Sequence, residues 1–214
     1  MPSDLADSSQ SNADFLLAHC ASARIGLAGG MHPIDRTIRQ AQRLITGDGV
    51  GSAWSHAFLI GERRSDGHWW VLESDIDLRH KQIRLGAQEN RLAKFFDAAE
   101  WPNIAVLDFG LDDAVARRVL QAALDLLAQS TRYSLREILG TALALARPTL
   151  RQRGNLLARE GSLYCSAFVQ HCYSAAGIEL TPGIGAKNAT PHDLARTPVA
   201  HHAQRLVRIA GSVD

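Results

Sequence analysis

The stretch Trp54-Ser-His-Ala-Phe-Leu-Ile-Gly-Glu-Arg-Arg-Ser-Asp-Gly-His-Trp-Trp-Val-Leu-Glu73 reads as two strands and the turn that joins them. Ser55 to Ile60 is short, apolar and bounded by Gly51 and Gly61, the pattern of a buried strand. Ser65-Asp66-Gly67 supplies a hairpin turn, because glycine tolerates the left-handed backbone that such turns need. Trp69 to Glu73 then returns as the second strand. Working outward, Arg79 to Leu85 mixes basic and apolar residues and suggests a third strand. Asn103 to Phe109 gives a fourth just after Pro102, and Arg205 to Ala210 can rejoin the sheet. The middle of the chain is therefore expected to be an antiparallel sheet.

The flanks read differently. Residues 1–13 are rich in Ser, Asp and Asn and are expected to form a disordered, mobile tail. Asp14 to Ala23 holds a short apolar stretch, and Gly26, Gly29 and Gly30 mark a loop. Pro33 opens a helix that Gly47 ends. In the second half, Asp112-Asp113 places acids in the first turn of a helix whose Val115, Val119, Leu120, Ala123, Leu126 and Leu127 share one face. Leu135 to Ala146 predicts a second helix and Tyr164 to Ala176 a third, closed by Gly177. Thr190-Pro-His-Asp-Leu194 predicts one more helical turn. No linker separates two units, so residues 14–214 are read as a single α+β domain.

Composition excludes several classes. The chain has 214 residues, 46% hydrophobic and 21% charged, with a formal net charge of +1. Those fractions are those of globular proteins rather than of disordered or fibrous ones. A charge so near zero argues against nucleic acid as a partner, which calls for a concentrated basic surface. No window approaches the ~20 apolar residues of a membrane-spanning helix, so no transmembrane segment is expected. The polar N-terminus carries Asp4 and Asp7 and lacks the features of a secretory signal. A cytoplasmic location follows as the expectation, with export by a dedicated machine as the alternative.

Three cysteines, Cys20, Cys165 and Cys172, are too few for a disulfide framework and fit a reducing compartment. They are not equivalent. Gly161-Ser-Leu-Tyr-Cys-Ser-Ala-Phe-Val-Gln170 puts Cys165 in the first turn of an amphipathic helix. Free first-turn amides and the positive end of the helix dipole favour a thiolate there, and the same amides can receive an oxyanion. Such a nucleophile needs a base and a group to orient the base. His56 and Glu73 on neighbouring strands are the candidates, provided they share a face and meet the thiol; Asp75 or a nearby amide is the substitute for Glu73. The ordinary alternatives are a buried cysteine, a strand histidine and a solvated carboxylate. Cys172 and Cys20 read as packing residues.

Taken together, a Ser-His strand, a Glu ending the next strand and a late Tyr-Cys-Ser helix resemble the circularly permuted papain-like cysteine hydrolases. These form the YiiX-like branch of the NlpC-type superfamily, with lecithin retinol acyltransferase-like enzymes as distant relatives. Thr190-Pro-His-Asp-Leu194 is similar to the C-terminal Ser/Thr-Pro-x-Asp-Leu turn of that branch. The resemblance spans Trp54 to Ala210. It implies a permuted papain-like fold, an antiparallel sheet packed against helices with the nucleophile at a helix N-terminus. It also implies Cys165 as nucleophile, His56 as general base and Glu73 as the orienting acid. Tyr164 and Ser166 would line the oxyanion and substrate site. The N-terminal region with His19, Cys20 and Gly29-Gly30 does not match the Gly-Asp strand with which the family begins.

The expected function is a cysteine hydrolase that cleaves an amide or ester through a thioester acyl-enzyme, peptidase- or amidase-like, on a small peptide, amide or lipid substrate. The alternatives are a lipid-directed acyltransferase or thioesterase, a catalytically silent binding module, and a secreted effector. No cofactor and no metal are expected, since Cys165, His171 and Cys172 lack the paired spacing of structural zinc sites. Arg147 to Arg159 reads as an exposed basic loop or as a receiver of an anionic group. Trp54, Trp69 and Trp70 read as core or as the walls of a groove, and His201-His202 as a solvated turn.

Overall fold

The computed structural model describes residues 3–44, 49–77, 84–129, 165–211 and 213. The hairpin lies where the sequence puts it, but its strands run past Ile60 and Glu73: β3 (His56–Arg63) and β4 (Trp69–Asp77) pair antiparallel, with Phe58 opposite Glu73 and Leu59 opposite Leu72. Gly67 takes φ +79° in the turn, and Asp66 Oδ1 accepts from the His68 amide at 3.0 Å. The other strands are β1 (Ser3–Leu5), β2 (Ile25–Gly29), β5 (Arg84–Arg91), β6 (Asn103–Asp108) and β7 (His202–Leu206). They form one sheet in the order β1-β7-β6-β2-β3-β4-β5. From β7 to β5 each strand runs antiparallel to its neighbour, and among the described residues only β1 runs parallel to its neighbour, β7.

Alternation along β3 sorts two cores onto the two faces of the sheet. Ala57 and Leu59 point to one face, where α3 (Asp113–Ala128) and α4 (Cys165–Ala175) lay down Val119, Ala123, Phe168, Val169, Cys172 and Tyr173. Phe58 and Ile60 point to the other, against Phe15 and Leu16 of α1 (Asn12–His19) and against Leu92, Phe95 and Trp101. Each fully buried Phe or Leu contributes about 1.5–3 kcal/mol, so both layers fix the strand register strongly. The α+β class expected from the sequence is what forms. The α3 start is also as read, with Asp112 Oδ1 accepting from the Ala114 and Val115 amides at 2.9 and 2.8 Å.

Several boundaries differ from the sequence expectation, each for a physical reason. Of the glycines read as a loop, Gly26 and Gly29 belong to β2, the central strand, and Gly30 follows it. A Cβ at Gly26 would lie 2.1 Å from the Phe58 ring, and one at Gly29 would lie 2.0 Å from the Ala53 carbonyl oxygen. They mark close approach within a sheet, not a turn. The third strand is described over Arg84–Arg91, running past the Leu85 expected as its end, while 79–83 of the expected strand lie outside the described residues; its polar face suits an edge strand. β7 ends at Leu206, short of Ala210.

The first residues also depart from a tail: Ser3–Leu5 pair with Ala203–Arg205, and Asn12 is fully buried, its Nδ2 donating to the Phe95 and Trp101 carbonyls. The helix that begins at Pro33, α2 (Pro33–Ala41), runs on as a 3-10 turn through Leu44. The expected helix at Leu135 to Ala146 and the basic run Arg147 to Arg159 lie outside the described residues. No described helix is long and apolar enough to cross a membrane.

Candidate functional site

His56 is the first residue of β3, and it shares the parity of Phe58, which faces Glu73 across β4. His56 and Glu73 are therefore a diagonal pair on one face, and their side chains meet: His56 Nε2 donates to Glu73 Oε2 at 2.6 Å. The imidazole is buried between aromatic rings, with centroids 6.0 Å from Phe95 and 6.3 Å from both Phe58 and Trp101. Its second partner is the Cys165 thiol. Because Nε2 is taken by Glu73, Nδ1 is the nitrogen left for the sulfur. The body of α4 packs on the opposite face of the sheet. The contact is possible because Cys165 is the first residue of α4 and His56 the first of β3.

Two hydrogen-bond paths fix these element starts. In the first, Ser166 Oγ donates to the Ala189 carbonyl at 2.5 Å, tying the first turn of α4 to the chain that enters α5 (Pro191–Ala195). Thr190 caps α5 in a capping box: its Oγ1 accepts from the Asp193 amide at 3.2 Å, and its own amide donates to Asp193 Oδ2 at 2.9 Å. In the second, the His192 amide of α5 donates to Gln42 Oε1 at 3.0 Å, and Gln42 Nε2 donates to the Trp54 carbonyl at 2.8 Å. The Thr-Pro-x-Asp-Leu turn thus links the cysteine helix to the segment that leads into His56. Next to His56, Ser55 Oγ donates to Asp35 Oδ1 and accepts from the Gly30 amide, both at 2.9 Å, which holds the loop after β2 against the site.

Glu73 is fully buried, and its other oxygen carries two more donors. Asn90 Nδ2 and Lys94 Nζ both lie 2.6 Å from Oε1. Lys94 Nζ also lies 2.6 Å from Asp75 Oδ2. Burial alone would raise the Glu73 pKa, but the Lys94 charge and the His56 hydrogen bond lower it from 4.5 to about 2. Burial alone would lower that of His56. The charge of Asp75 and the hydrogen bonds to Cys165 and Glu73 outweigh this and hold it well above its ordinary 6.5. Lys94 resists its own burial through the two carboxylates, which push its pKa upward.

The residues singled out from sequence fare differently. Cys165, His56 and Glu73 come together. Asp75 joins through Lys94 rather than replacing Glu73. Ser166 is a correction: it is 2% exposed, and its hydroxyl is committed to Ala189, so its side chain is a structural tie rather than a substrate-lining group. Tyr164 lies outside the described residues. Cys172 is wholly buried core, and burial pushes its thiol pKa upward. Trp54 is core, whereas Trp69 lines a groove of about 380 Å³ with Leu17, Leu92 and Phe96 at the turn end of the hairpin, away from His56. His201 does not sit in a solvated turn: it is 8% exposed and stacks on Phe109. Sequence reasoning passed over Lys94 and Asn90. The available signal was a lone lysine inside the apolar run Leu92-Ala-Lys-Phe-Phe96.

The chain is similar to the crystal structure of the metalloprotein YiiX from Escherichia coli O157:H7, with a TM-score of 0.55 and 12% identity over 91% of this chain and 98% of that chain. At that identity the likeness shows the fold alone, a mixed α+β architecture. The solved neighbour bears the name of the branch that the sequence motifs resemble. No family model and no curated protein matches the chain.

The solved neighbour is called a metalloprotein. His56, Glu73 and Asp75 offer donor atoms within 4.8 Å of one another, a spacing that could surround an ion. The set does not fit one as built, because the Lys94 ammonium already bridges Glu73 and Asp75.

Proposed function

We propose that this chain is a cysteine hydrolase of the permuted papain-like kind, cleaving an amide or ester through a thioester acyl-enzyme. The observation that carries the reading is the continuous relay from the Cys165 thiol through His56 to Glu73. The order His56, Glu73, Cys165 along the chain, at the starts of β3 and α4, supports the permuted arrangement, as does the fold shared with YiiX.

In this reading His56 takes the thiol proton, and the Cys165 sulfur attacks the carbonyl carbon to form a C–S bond. The imidazolium gives that proton to the departing amine or alcohol as the C–N or C–O bond breaks. A water then passes a proton to His56 and attacks the thioester, releasing the acid and restoring the thiol. Glu73 stays ionised throughout, holds the Nε2–H tautomer and stabilises the imidazolium. Its low pKa and its three donors suit that role.

The test is differential alkylation. At neutral pH iodoacetamide should label Cys165 at least about 10-fold faster than Cys172, read by peptide mass spectrometry. The rate at Cys165 should collapse in His56→Ala. Equal reactivity of the two thiols would sink the nucleophile assignment. Activated esters and peptide amides then report which acyl group is turned over.

A further inference from the structure

We propose that Lys94 is the built-in cation of this site: its ammonium holds Glu73 against His56 and occupies the place a divalent metal ion would need. The geometry carries this. Lys94 comes from the 3-10 turn Leu92–Phe95 that follows β5, and its neighbours Leu92 and Phe95 are buried in the aromatic layer under the sheet. That anchoring aims the side chain inward, where it is only 15% exposed, with Nζ 5.2 Å from the Phe95 ring centre. Nζ then touches Glu73 Oε1 and Asp75 Oδ2, each at 2.6 Å.

A metal ion bound by the same two carboxylates would sit about 2.0–2.2 Å from each oxygen, on the ground that Nζ holds. The two cannot coexist. Nor can Lys94 leave cheaply, since it is anchored by buried residues on both sides. Three properties follow from one side chain. Glu73 has its charge balanced and stays ionised without water. Its Oε2 is turned to His56 while Oε1 is held by Lys94 and Asn90. The donor set His56, Glu73 and Asp75 is closed to a divalent ion. Lys94 is thus a positioning residue that touches no substrate. Its kinetic consequence rests on the hydrolase reading, whereas its exclusion of metal does not.

The experiment uses the full chain titrated with Co²⁺ at neutral pH, followed by visible d–d absorption. Wild-type protein should show no stoichiometric spectrum. Lys94→Met should gain a one-equivalent spectrum that a further Asp75→Asn removes. A wild-type protein that takes up one equivalent of Co²⁺, with a spectrum lost in Glu73→Gln, overturns the proposal. So does a folded Lys94→Met that gains none. Should Lys94→Met fail to fold, the wild-type titration still decides, and Lys94→Arg supplies a second arm. That variant keeps the charge, and it should refuse Co²⁺ and retain the downfield proton resonance of the His56 Nε2–H. Uptake of cobalt by Lys94→Arg would also overturn the proposal.

In turnover, Lys94→Met should lower kcat roughly 10–100-fold with little change in KM, and Lys94→Arg should recover most of it. Absence of any Cys165-dependent turnover would defeat the hydrolase reading while leaving the cobalt and proton-resonance results to judge Lys94.

Discussion

Cys165 and Cys172 sit seven residues apart on one helix, two turns along nearly the same stripe, yet they are in different chemical worlds. Cys165 opens α4, is half-buried and meets an imidazole that a buried carboxylate orients. Cys172 lies wholly buried among Ala57, Leu59, Phe168 and Tyr173, and the absence of water there disfavours its thiolate. The difference shows that helix position alone does not make a reactive thiol. The same α4 supplies a packing stripe along its body and a thiol in contact with an imidazole only at its end, where the sheet face beyond it carries polar groups.

The largest expected effect breaks this comparison outright if it fails. On the proposed hydrolase reading, Cys165→Ala should lower kcat/KM at least ~10³-fold, because the proposed nucleophile is removed. Cys172→Ala should leave kcat unchanged and lower the unfolding free energy by about 1 kcal/mol, the cost of a small cavity in a packed core. Steady-state kinetics and urea melts of the two variants measure this. Loss of turnover in Cys172→Ala with Cys165→Ala still active would reverse the assignment.

The polar end of the comparison also has a pH signature. Glu73 has a depressed pKa, so its stabilising contribution is present above its ordinary 4.5 and disappears as pH falls toward about 2. His56 has a raised pKa, so its contribution is fully present below its ordinary 6.5 and is lost as pH rises through the higher folded value. Both are complete only between those two ordinary values. The stability gap between wild type and Glu73→Gln should therefore be widest from about pH 4.5 to 6.5, at a few kcal/mol, and should shrink on either side. A series of urea melts from acid to alkaline pH reads it. A gap that stays flat across the range would mean that the pair contributes packing rather than charge.

How much of this was legible in the sequence varies along the same line. The apolar half was readable: short apolar runs bounded by glycine and turn signals placed β3 and β4, and the α3 face and its acidic start were plain from spacing. His56 and Cys165 were readable because they open their elements beside serine and glycine signals, and Glu73 because it is the first carboxylate of the apolar run that forms β4. Local pattern failed where a residue's meaning depends on a distant partner. Gly26 signals a loop until Phe58 is known to lie over it, and Lys94 reads as a surface charge until Glu73 and Asp75 come to meet it. Ser166 and Thr190 are similar. Ser166 looks like a site residue beside a cysteine and Thr190 like part of a helical turn, and each holds the frame through a bond the local sequence does not show.

That frame gives the smallest of the expected effects and the finest test of the comparison. Thr190→Ala removes the hydroxyl that accepts from the Asp193 amide and should cost about 1 kcal/mol of stability, the usual value of a helix cap. Its reach should be uneven. The cap holds the segment from Ala189 to His192, which contacts Ser166 at the start of α4 and Gln42 beside Trp54. Cys172 lies two turns further along, beyond these hydrogen bonds. Alkylation of Cys165 should therefore slow several-fold in Thr190→Ala, while protection of the Cys172 region from amide exchange should fall only by the global loss of stability. Equal losses at both cysteines would mean that α4 moves as a rigid whole and that α5 supports the fold without aiming the thiol.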